Sequence, residues 1–122
     1  MPLSRNDPRR QAALLADIRR AASDAVTYVS KKKFADFVAK KMLRDAVSHC
    51  ITIAGEAATQ LRNDGFAKRH PSRHWAGLAG MRIKIVHGYD SVDYLTVWNT
   101  IKDDYPDLIE FIDGITGTAD ED

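Results

Sequence analysis

Three side chains suited to chemistry on a phosphate lie within one short stretch, at Arg82, His87 and Tyr89. Arginine carries a permanent charge and a planar fork of donors that fits a phosphate, whereas histidine titrates near neutral pH. Together they suffice for RNA cleavage, in which a ribose 2′-hydroxyl attacks the adjacent phosphate, an imidazole handles a proton and a guanidinium stabilises phosphoryl oxygens. Such a reaction needs neither a metal nor another cofactor.

The spacing of Arg82 and His87 permits such a site but does not require it. Five residues of α-helix separate two side chains by about 140° around the axis. Gly88 would let the backbone leave the helix directly after His87, so that the imidazole could turn back towards Arg82. In the alternative interpretation Arg82 makes a surface ion pair and His87 caps a helix C-terminus, where a cation is favoured. Spacing alone favours that alternative.

The elements that must position these residues are helical, because apolar residues recur at helical spacing and no long segment alternates with period two. We therefore predict an all-α fold, an antiparallel bundle of four to five helices. The predicted helices run from about Arg9 to Val29, Lys41 to Leu61, Arg73 to His87 and Ser91 to Ile112, with a short helix or turn at Phe34, Phe37 and Val38. The predicted inward faces comprise Leu14, Leu15, Ile18, Ala22, Ala25, Val26, Val29, Leu43, Val47, Cys50, Ile51, Ala54, Ala58, Leu61, Trp75, Leu78, Met81, Ile85, Val86, Val97, Trp98 and Ile101.

Turn-forming residues mark the ends of these helices. The segment from Phe66 to Arg73 contains Pro71 and is predicted to be the main connection between helices, with Ser72 as the N-cap of the helix that follows. Asp90 is the predicted N-cap of the last helix. Pro106 is expected to kink or restart that helix.

Two glycines inside the motif helix, Gly77 and Gly80, predict close approach of a neighbouring helix, since glycine has no side chain to hold it away. Gly88 is predicted to stop the motif helix.

Composition limits the possible classes of protein. The 122 residues are typical of one domain, here 1–122, with a polar tail from about 114 to 122 that is expected to fray. With 18 Lys and Arg against 17 Asp and Glu, the net charge is +1, so RNA binding would depend on local patches. A lone cysteine, no N-terminal apolar stretch and no long apolar run predict a soluble protein of the reducing cytoplasm.

The remaining chemical candidates are weaker. His70 and His74 have a spacing that suits zinc on a helix, but Pro71 interrupts it and no further ligands complete a site, so no metal is predicted. Cys50 lies in an apolar helical setting and is expected to be a core residue.

Two charged features also have a structural alternative. Glu56 lies in a mostly apolar helix, and a structural ion pair with an arginine is expected rather than a catalytic role. A lysine-rich region predicts either contact with the RNA backbone or a solvated charged face. This region comprises Lys31, Lys32, Lys33, Lys40, Lys41 and Arg44.

The chain resembles the HepT-like toxins of the HEPN superfamily, small helical ribonucleases of type VII toxin–antitoxin systems. Their motif is Arg, four to six residues, His, one residue and Tyr, as in Arg82, His87 and Tyr89. The resemblance extends over about Asp17 to Asp113. Further matching positions are Ile53-Ala54-Gly55-Glu56-Ala57, His70-Pro71, Trp75, Gly80-Met81-Arg82, Val97-Trp98 and Pro106-Asp107-Leu108.

The resemblance implies a homodimer with a shared groove for RNA and Arg82 and His87 as the catalytic pair. It also implies an antitoxin partner, a minimal nucleotidyltransferase (MNT), that adenylylates Tyr89 and thereby blocks RNA with added bulk and negative charge. The alternative for Tyr89 is an aromatic side chain packed against the core.

One position departs from the family pattern. Members commonly have Asn or another polar residue directly after the motif Arg, where this chain has Ile83. Three consequences are open: weak cleavage, Lys84 as a substitute cation, or a role confined to binding the nucleotidyltransferase and presenting substrate to it. A plain helical adaptor is a further alternative.

Overall fold

A computed structural model describes residues 4–88 and 92–117, and every regular element within these ranges is helical. The all-α prediction is confirmed. The elements are α1 Pro8–Val29, α2 Phe34–Ala39, α3 Lys41–Asn63, α4 Phe66–Arg69, α5 Arg73–His87, α6 Tyr94–Asn99 and α7 Tyr105–Thr116, with a π-helical turn Thr100–Asp104 between α6 and α7.

The long helices form a bundle in which α3 packs between α1 and α5, and α1 also packs against α7. Their apolar stripes meet in one core, whose most fully buried large side chains are Phe37, Ile18, Ile51, Leu61, Ile101, Leu108 and Ile112. Most predicted core residues are buried. Val26 and Leu43 are only partly buried. The prediction that Val86 is a core residue is wrong, because 47% of its surface is exposed near the end of α5.

The predicted boundaries of α5 are confirmed at both ends. The Ser72 hydroxyl accepts a hydrogen bond from the His74 N–H at 3.1 Å, which satisfies one of the free donors of the first turn. At the other end the N–H of Gly88 donates to the carbonyl of Lys84 at 2.9 Å. The sequence thus places the motif Arg and His on one helix.

The connection before α5 is more ordered than predicted, because it contains α4. Gly65 adopts a left-handed conformation with φ of 88°, which favours glycine, and the Asp64 carboxylate accepts a hydrogen bond from the Phe66 N–H at 2.9 Å. Phe66 is buried and stacks on His70 with 4.4 Å between ring centroids. A local aromatic contact therefore stabilises a segment that was expected to be an irregular connection.

The last helix begins later than predicted, at Tyr94 rather than Ser91. Its N-cap is Asp93, whose carboxylate accepts from the Leu95 N–H at 3.0 Å. The predicted cap Asp90 lies outside the described residues. Since both aspartates are good caps, the sequence could not choose between them.

Pro106 restarts the helix as predicted. Proline has no N–H for the carbonyl four residues before it, and the backbone widens into the π-helical turn directly upstream. There the Tyr105 N–H donates to the carbonyl of Thr100. Within the described residues, no helix combines the length and the apolar character needed to cross a membrane.

Candidate active site

Arg82 is positioned by a close approach of α5 to α3. The contact point on α3 is Gly55, where an added Cβ would lie 2.3 Å from the Cβ of Arg82 and 2.7 Å from the carbonyl oxygen of Leu78. Neither atom can move independently of the α5 backbone. Gly55 is therefore required for α5 to lie this close to α3 and for Arg82 to hold its place.

The side chain of Arg82 is half-buried, and its Nε atom is buried without a hydrogen-bond partner among the described residues. A buried donor of a charged group that lacks a partner costs free energy unless a ligand satisfies it. Arg82 is consequently a cation whose position is fixed by packing against α3.

The glycines of α5 itself do not make the predicted close approach within this chain. A Cβ added at Gly77 or Gly80 would meet nothing within 4 Å among the contacts that the structure describes. Both residues lie on a surface of α5 that the bundle leaves uncovered. The prediction that a neighbouring helix packs on them is wrong for the isolated chain, and the close-contact glycine is Gly55 instead.

His87 is the last residue of α5 and is exposed. It lies on the wall of a cavity of about 430 Å³ between the second half of α5 and α6. We call this space the α5–α6 cavity. Its described lining residues are Met81, Ile83, Lys84, His87, Gly88, Val92, Asp93, Thr96 and Val97. An imidazole in this position is accessible to a ligand, and it can also interact favourably with the C-terminal end of the helix dipole.

Arg82 is absent from the described lining of the α5–α6 cavity. Its backbone lies against α3, whereas His87 lines the side of α5 that faces α6. The two residues leave the helix about 140° apart, as their spacing predicts. The structure thus places the predicted pair on one helix without bringing both side chains into one cavity of a single chain.

Ile83 and Lys84 both line the α5–α6 cavity with His87, and 54% of the surface of Ile83 is exposed. Ile83 therefore makes the wall of this cavity apolar, because its side chain offers neither a donor nor an acceptor. Lys84 provides an ammonium group at the same cavity. Tyr89, the third residue of the motif, lies outside the described residues.

Asp93 and Thr96 are cavity residues that the sequence did not single out. The Thr96 hydroxyl donates to one carboxylate oxygen of Asp93 at 3.0 Å, while the other oxygen caps α6. An aspartate directly before a helical run of apolar residues is a recognisable helix start. That signal identifies a helix end, not a ligand contact, so only the fold could reveal their place at the cavity.

His70 and His74 form no metal site in the structure. His74 is 6% exposed, and its Nε2 lies 2.7 Å from a carboxylate oxygen of Asp107. The carbonyl of His70 accepts a hydrogen bond from the Trp75 indole N–H at 2.7 Å. Among the described residues, no group of three or more potential ligands could hold a metal ion. These histidines fix the joint between α4, α5 and α7.

The structural ion pair expected for Glu56 is wrong, because this residue is exposed and makes no ion pair with the described residues. Glu56 directly follows Gly55 on α3, and its side chain is exposed. Cys50 is buried as predicted, and burial raises the pKa of its thiol to about 11, which keeps it protonated at neutral pH.

The lysine-rich region combines structural contacts with free surface. Arg44 donates to the carbonyls of Phe37 and Val38 and lies over the Tyr94 ring at 4.9 Å, so it stabilises the α2–α3 corner. Lys31, Lys32 and Lys33 are exposed.

The model of the family described as "Ribonuclease HepT-like" matches residues 18–115. The chain belongs to this family of helical ribonucleases. It is 36% identical to "Probable ribonuclease HepT" of Thermococcus cleftensis over 94 residues, which cover 77% of this chain and 84% of that protein. It is 32% identical to "Putative RNase MJ1380" of Methanocaldococcus jannaschii over 96 residues, covering 79% of this chain and 87% of the other. No solved structure matches it significantly.

Proposed function

We propose that this chain is the toxin of a toxin–antitoxin system, a metal-independent endoribonuclease that uses Arg82 and His87. The observation that carries this proposal is the position of His87, exposed at an open cavity on the last turn of α5, in a chain of the ribonuclease HepT-like family. Arg82, on the same helix, is a half-buried cation whose guanidinium group suits a phosphate.

The proposed reaction needs only proton transfer and charge stabilisation. The His87 imidazole takes the proton of a ribose 2′-hydroxyl, and the 2′-oxygen forms a bond to the adjacent phosphorus. The bond from phosphorus to the 5′-oxygen then breaks, and that oxygen takes a proton from solvent or from a second imidazole. Arg82 stabilises the charge on the non-bridging oxygens. The products are a 2′,3′-cyclic phosphate and a 5′-hydroxyl.

We also propose that the protein acts as a homodimer. Support comes from the uncovered face of α5, where Gly77 and Gly80 have open space among the described residues. Small residues let a second helix pack closely against this one. A second copy would also place another Arg82 and His87 near the first pair. Sedimentation of the purified chain tests this, with a Gly77→Trp variant expected to shift it towards 13.6 kDa.

The proposed partner is an MNT-type nucleotidyltransferase antitoxin that adenylylates Tyr89. The motif supports this proposal, since Tyr89 follows His87 by two residues and modification there would add a phosphate close to the imidazole. Negative charge at that place would repel RNA. Co-expression with a nucleotidyltransferase, followed by mass measurement of the wild-type chain and of Tyr89→Phe, tests the modification.

Ribonuclease activity is tested by incubating the unmodified chain with RNA in EDTA, against His87→Ala matched for helicity. The proposal expects cleavage by the first protein only. Equal cleavage by both would assign the activity to a contaminant or to another residue.

Ile83 favours a second candidate, a non-catalytic helical partner that binds the nucleotidyltransferase and presents substrate to it. An apolar side chain now lies where a polar one is common in the family, and it lines the His87 cavity. If neither wild type nor Ile83→Asn cleaves RNA while the nucleotidyltransferase still binds, this second function replaces the first. Cleavage gained only in Ile83→Asn would identify Ile83 as the disabling residue.

A further inference from the structure

We propose that the α5–α6 cavity is a base-specificity pocket, which binds the unpaired nucleobase next to the cut phosphate and prefers bases that carry an exocyclic amino group. This inference rests on the proposed ribonuclease function and adds the part of the substrate that the cavity recognises. The juxtaposition that supports it is an apolar pocket and an acceptor pair within the cavity that His87 lines.

The walls suit a flat, largely apolar group. Met81, Ile83, Val92 and Val97 supply aliphatic surface, and the volume of about 430 Å³ falls within the ~300–1,000 Å³ usual for small-molecule sites. Ile83 makes one wall of the pocket apolar, because its side chain has no polar atom.

The polar groups of the pocket read one edge of that base. One oxygen of Asp93 accepts from the Leu95 N–H and the other from the Thr96 hydroxyl, each at 3.0 Å. A carboxylate oxygen has two lone pairs, so each oxygen can accept another hydrogen bond. A carboxylate accepts from the amino groups of cytosine, adenine or guanine. Uracil has no amino group, and two carbonyl oxygens that repel a carboxylate flank its N3–H.

The same carboxylate argues against a phosphate inside the pocket, because like charges repel at short range. Lys84 and His87 also line the cavity and provide the cationic groups that a phosphate prefers. The arrangement therefore separates the two parts of one nucleotide, with the base against Asp93 and Thr96 and the phosphate against Lys84 and His87.

Binding is tested without cleavage, by following the methyl NMR signals of Ile83 and Val97 during titration with cytidine 3′-monophosphate, uridine 3′-monophosphate and ribose phosphate. Saturable shifts with the cytidine nucleotide at the lowest concentration are expected, with weaker shifts for uridine and the weakest for ribose phosphate, which can occupy only the phosphate side of the cavity. Equal responses to all three would overturn the pocket. Shifts that depend on protein concentration alone would show that a second copy fills the cavity, which also overturns it.

Specificity is tested with DNA oligonucleotides that contain one ribonucleotide, whose base is cytosine, adenine, guanine or uracil. Since only the ribonucleotide has a 2′-hydroxyl, the cut position is fixed and kcat/KM reports the base. We expect uracil to be cleaved about tenfold more slowly, the discrimination of one good base contact. Asp93→Asn should reduce that ratio, because an amide also donates while its oxygen still caps α6.

Two tryptophan substitutions on α6 distinguish binding in the cavity from binding to the exposed surface of the helix. Thr96→Trp places an indole in the cavity, whereas Leu95→Trp places it on the neighbouring exposed residue, which is 48% exposed and does not line the cavity. Only Thr96→Trp should abolish the nucleotide shifts and the base preference. Equal effects of the two variants would overturn the proposal.

The two readouts also distinguish failure of the pocket from failure of the ribonuclease. Cleavage that ignores base identity, with no nucleotide shifts, would remove the pocket and leave the ribonuclease. Nucleotide shifts that favour cytidine, with no cleavage of any oligonucleotide, would remove the ribonuclease and support the pocket.

Discussion

The two sides of α5 have opposite surroundings, and glycine has a different use on each. Towards α3, Gly55 leaves no space for a methyl group, and Arg82 is held by backbone contact. On the uncovered side, Gly77 and Gly80 have open space. The side of α5 that faces α3 is thus fully packed and positions the cation of Arg82. The other side is available to a ligand or to a second copy of the chain.

The two motif residues therefore depend on different parts of the molecule. Arg82 depends on the α3–α5 contact, so a change on α3 should alter catalysis without touching the imidazole. His87 depends on the end of α5 and on the α5–α6 cavity. Substitutions can therefore affect one side of the helix at a time.

The largest expected effect is on catalysis, where both sides are required. His87→Ala removes the proton-transfer group and should lower kcat/KM about 10²- to 10⁴-fold. Arg82→Ala should lower it about 10²- to 10³-fold by removing charge stabilisation at the phosphate. Steady-state cleavage of one RNA, with circular dichroism as the folding control, measures both. Activity within twofold of wild type in either variant would exclude that residue from the reaction.

The next largest effect is expected from a substitution at the contact between α3 and α5. Gly55→Ala should destabilise the fold by about 1–3 kcal/mol, since the added methyl overlaps Arg82 and the Leu78 carbonyl and α5 must shift. Cleavage should fall as well, because the guanidinium moves with the backbone. Denaturant unfolding and kcat of the folded fraction measure the two consequences.

Gly114→Ala is the matched control for that substitution. Gly114 lies within α7, and an added Cβ would meet none of the described residues within 4 Å. Alanine there should stabilise the helix by about 0.5–1 kcal/mol and leave cleavage unchanged. If Gly114→Ala destabilised the protein as much as Gly55→Ala, the loss would reflect helical glycine in general and not the contact with Arg82.

A smaller effect concerns the start of α5. Trp75→Phe keeps most of the buried ring but removes the N–H that donates to the His70 carbonyl, so the free energy of unfolding should fall by about 1 kcal/mol. Chemical denaturation measures this change. A variant as stable as wild type would show that water or another donor replaces the bond.

The smallest effect is the pH dependence of the stability that the ion pair between Arg19 of α1 and Asp113 of α7 provides. Hydrogen bonding to Arg19, with Nε 2.5 Å from a carboxylate oxygen, lowers the pKa of Asp113 below 3.8. The pair therefore stabilises the fold fully above that value and loses its contribution as pH falls through the lowered pKa. The Tm difference between wild type and Asp113→Asn should be present at pH 7 and shrink at pH 2. A difference that persists unchanged at pH 2 would contradict this.

Local signals in the sequence were sufficient for much of the fold. The limits of α5 followed from Ser72 and Gly88, and the restart at Pro106 followed from its missing donor. The start of α6 did not, because Asp90 and Asp93 are equally good caps. The choice of Asp93 depends on where the partly buried Val92 and Tyr94 meet the core.

The site was predictable in its residues but not in its surroundings. The residue types at positions 82 and 87 were sufficient to predict phosphate binding by Arg82 and proton transfer by His87. The position of the close helix contact depends on how the helices cross, which the sequence does not specify. The contact was expected at Gly77 and Gly80, but the structure has it at Gly55. Glu56 was expected to pair with an arginine, but it lies on a surface of α3 that no described element covers.

Mass spectrometry of the RNA ends produced by the unmodified chain in EDTA decides whether Arg82 and His87 carry out the cleavage. A reaction driven by Arg82 and His87 leaves a 2′,3′-cyclic phosphate and a 5′-hydroxyl, and neither end should form with His87→Ala. Ends bearing a 3′-hydroxyl and a 5′-phosphate, or cyclic ends formed equally by His87→Ala, would contradict the account.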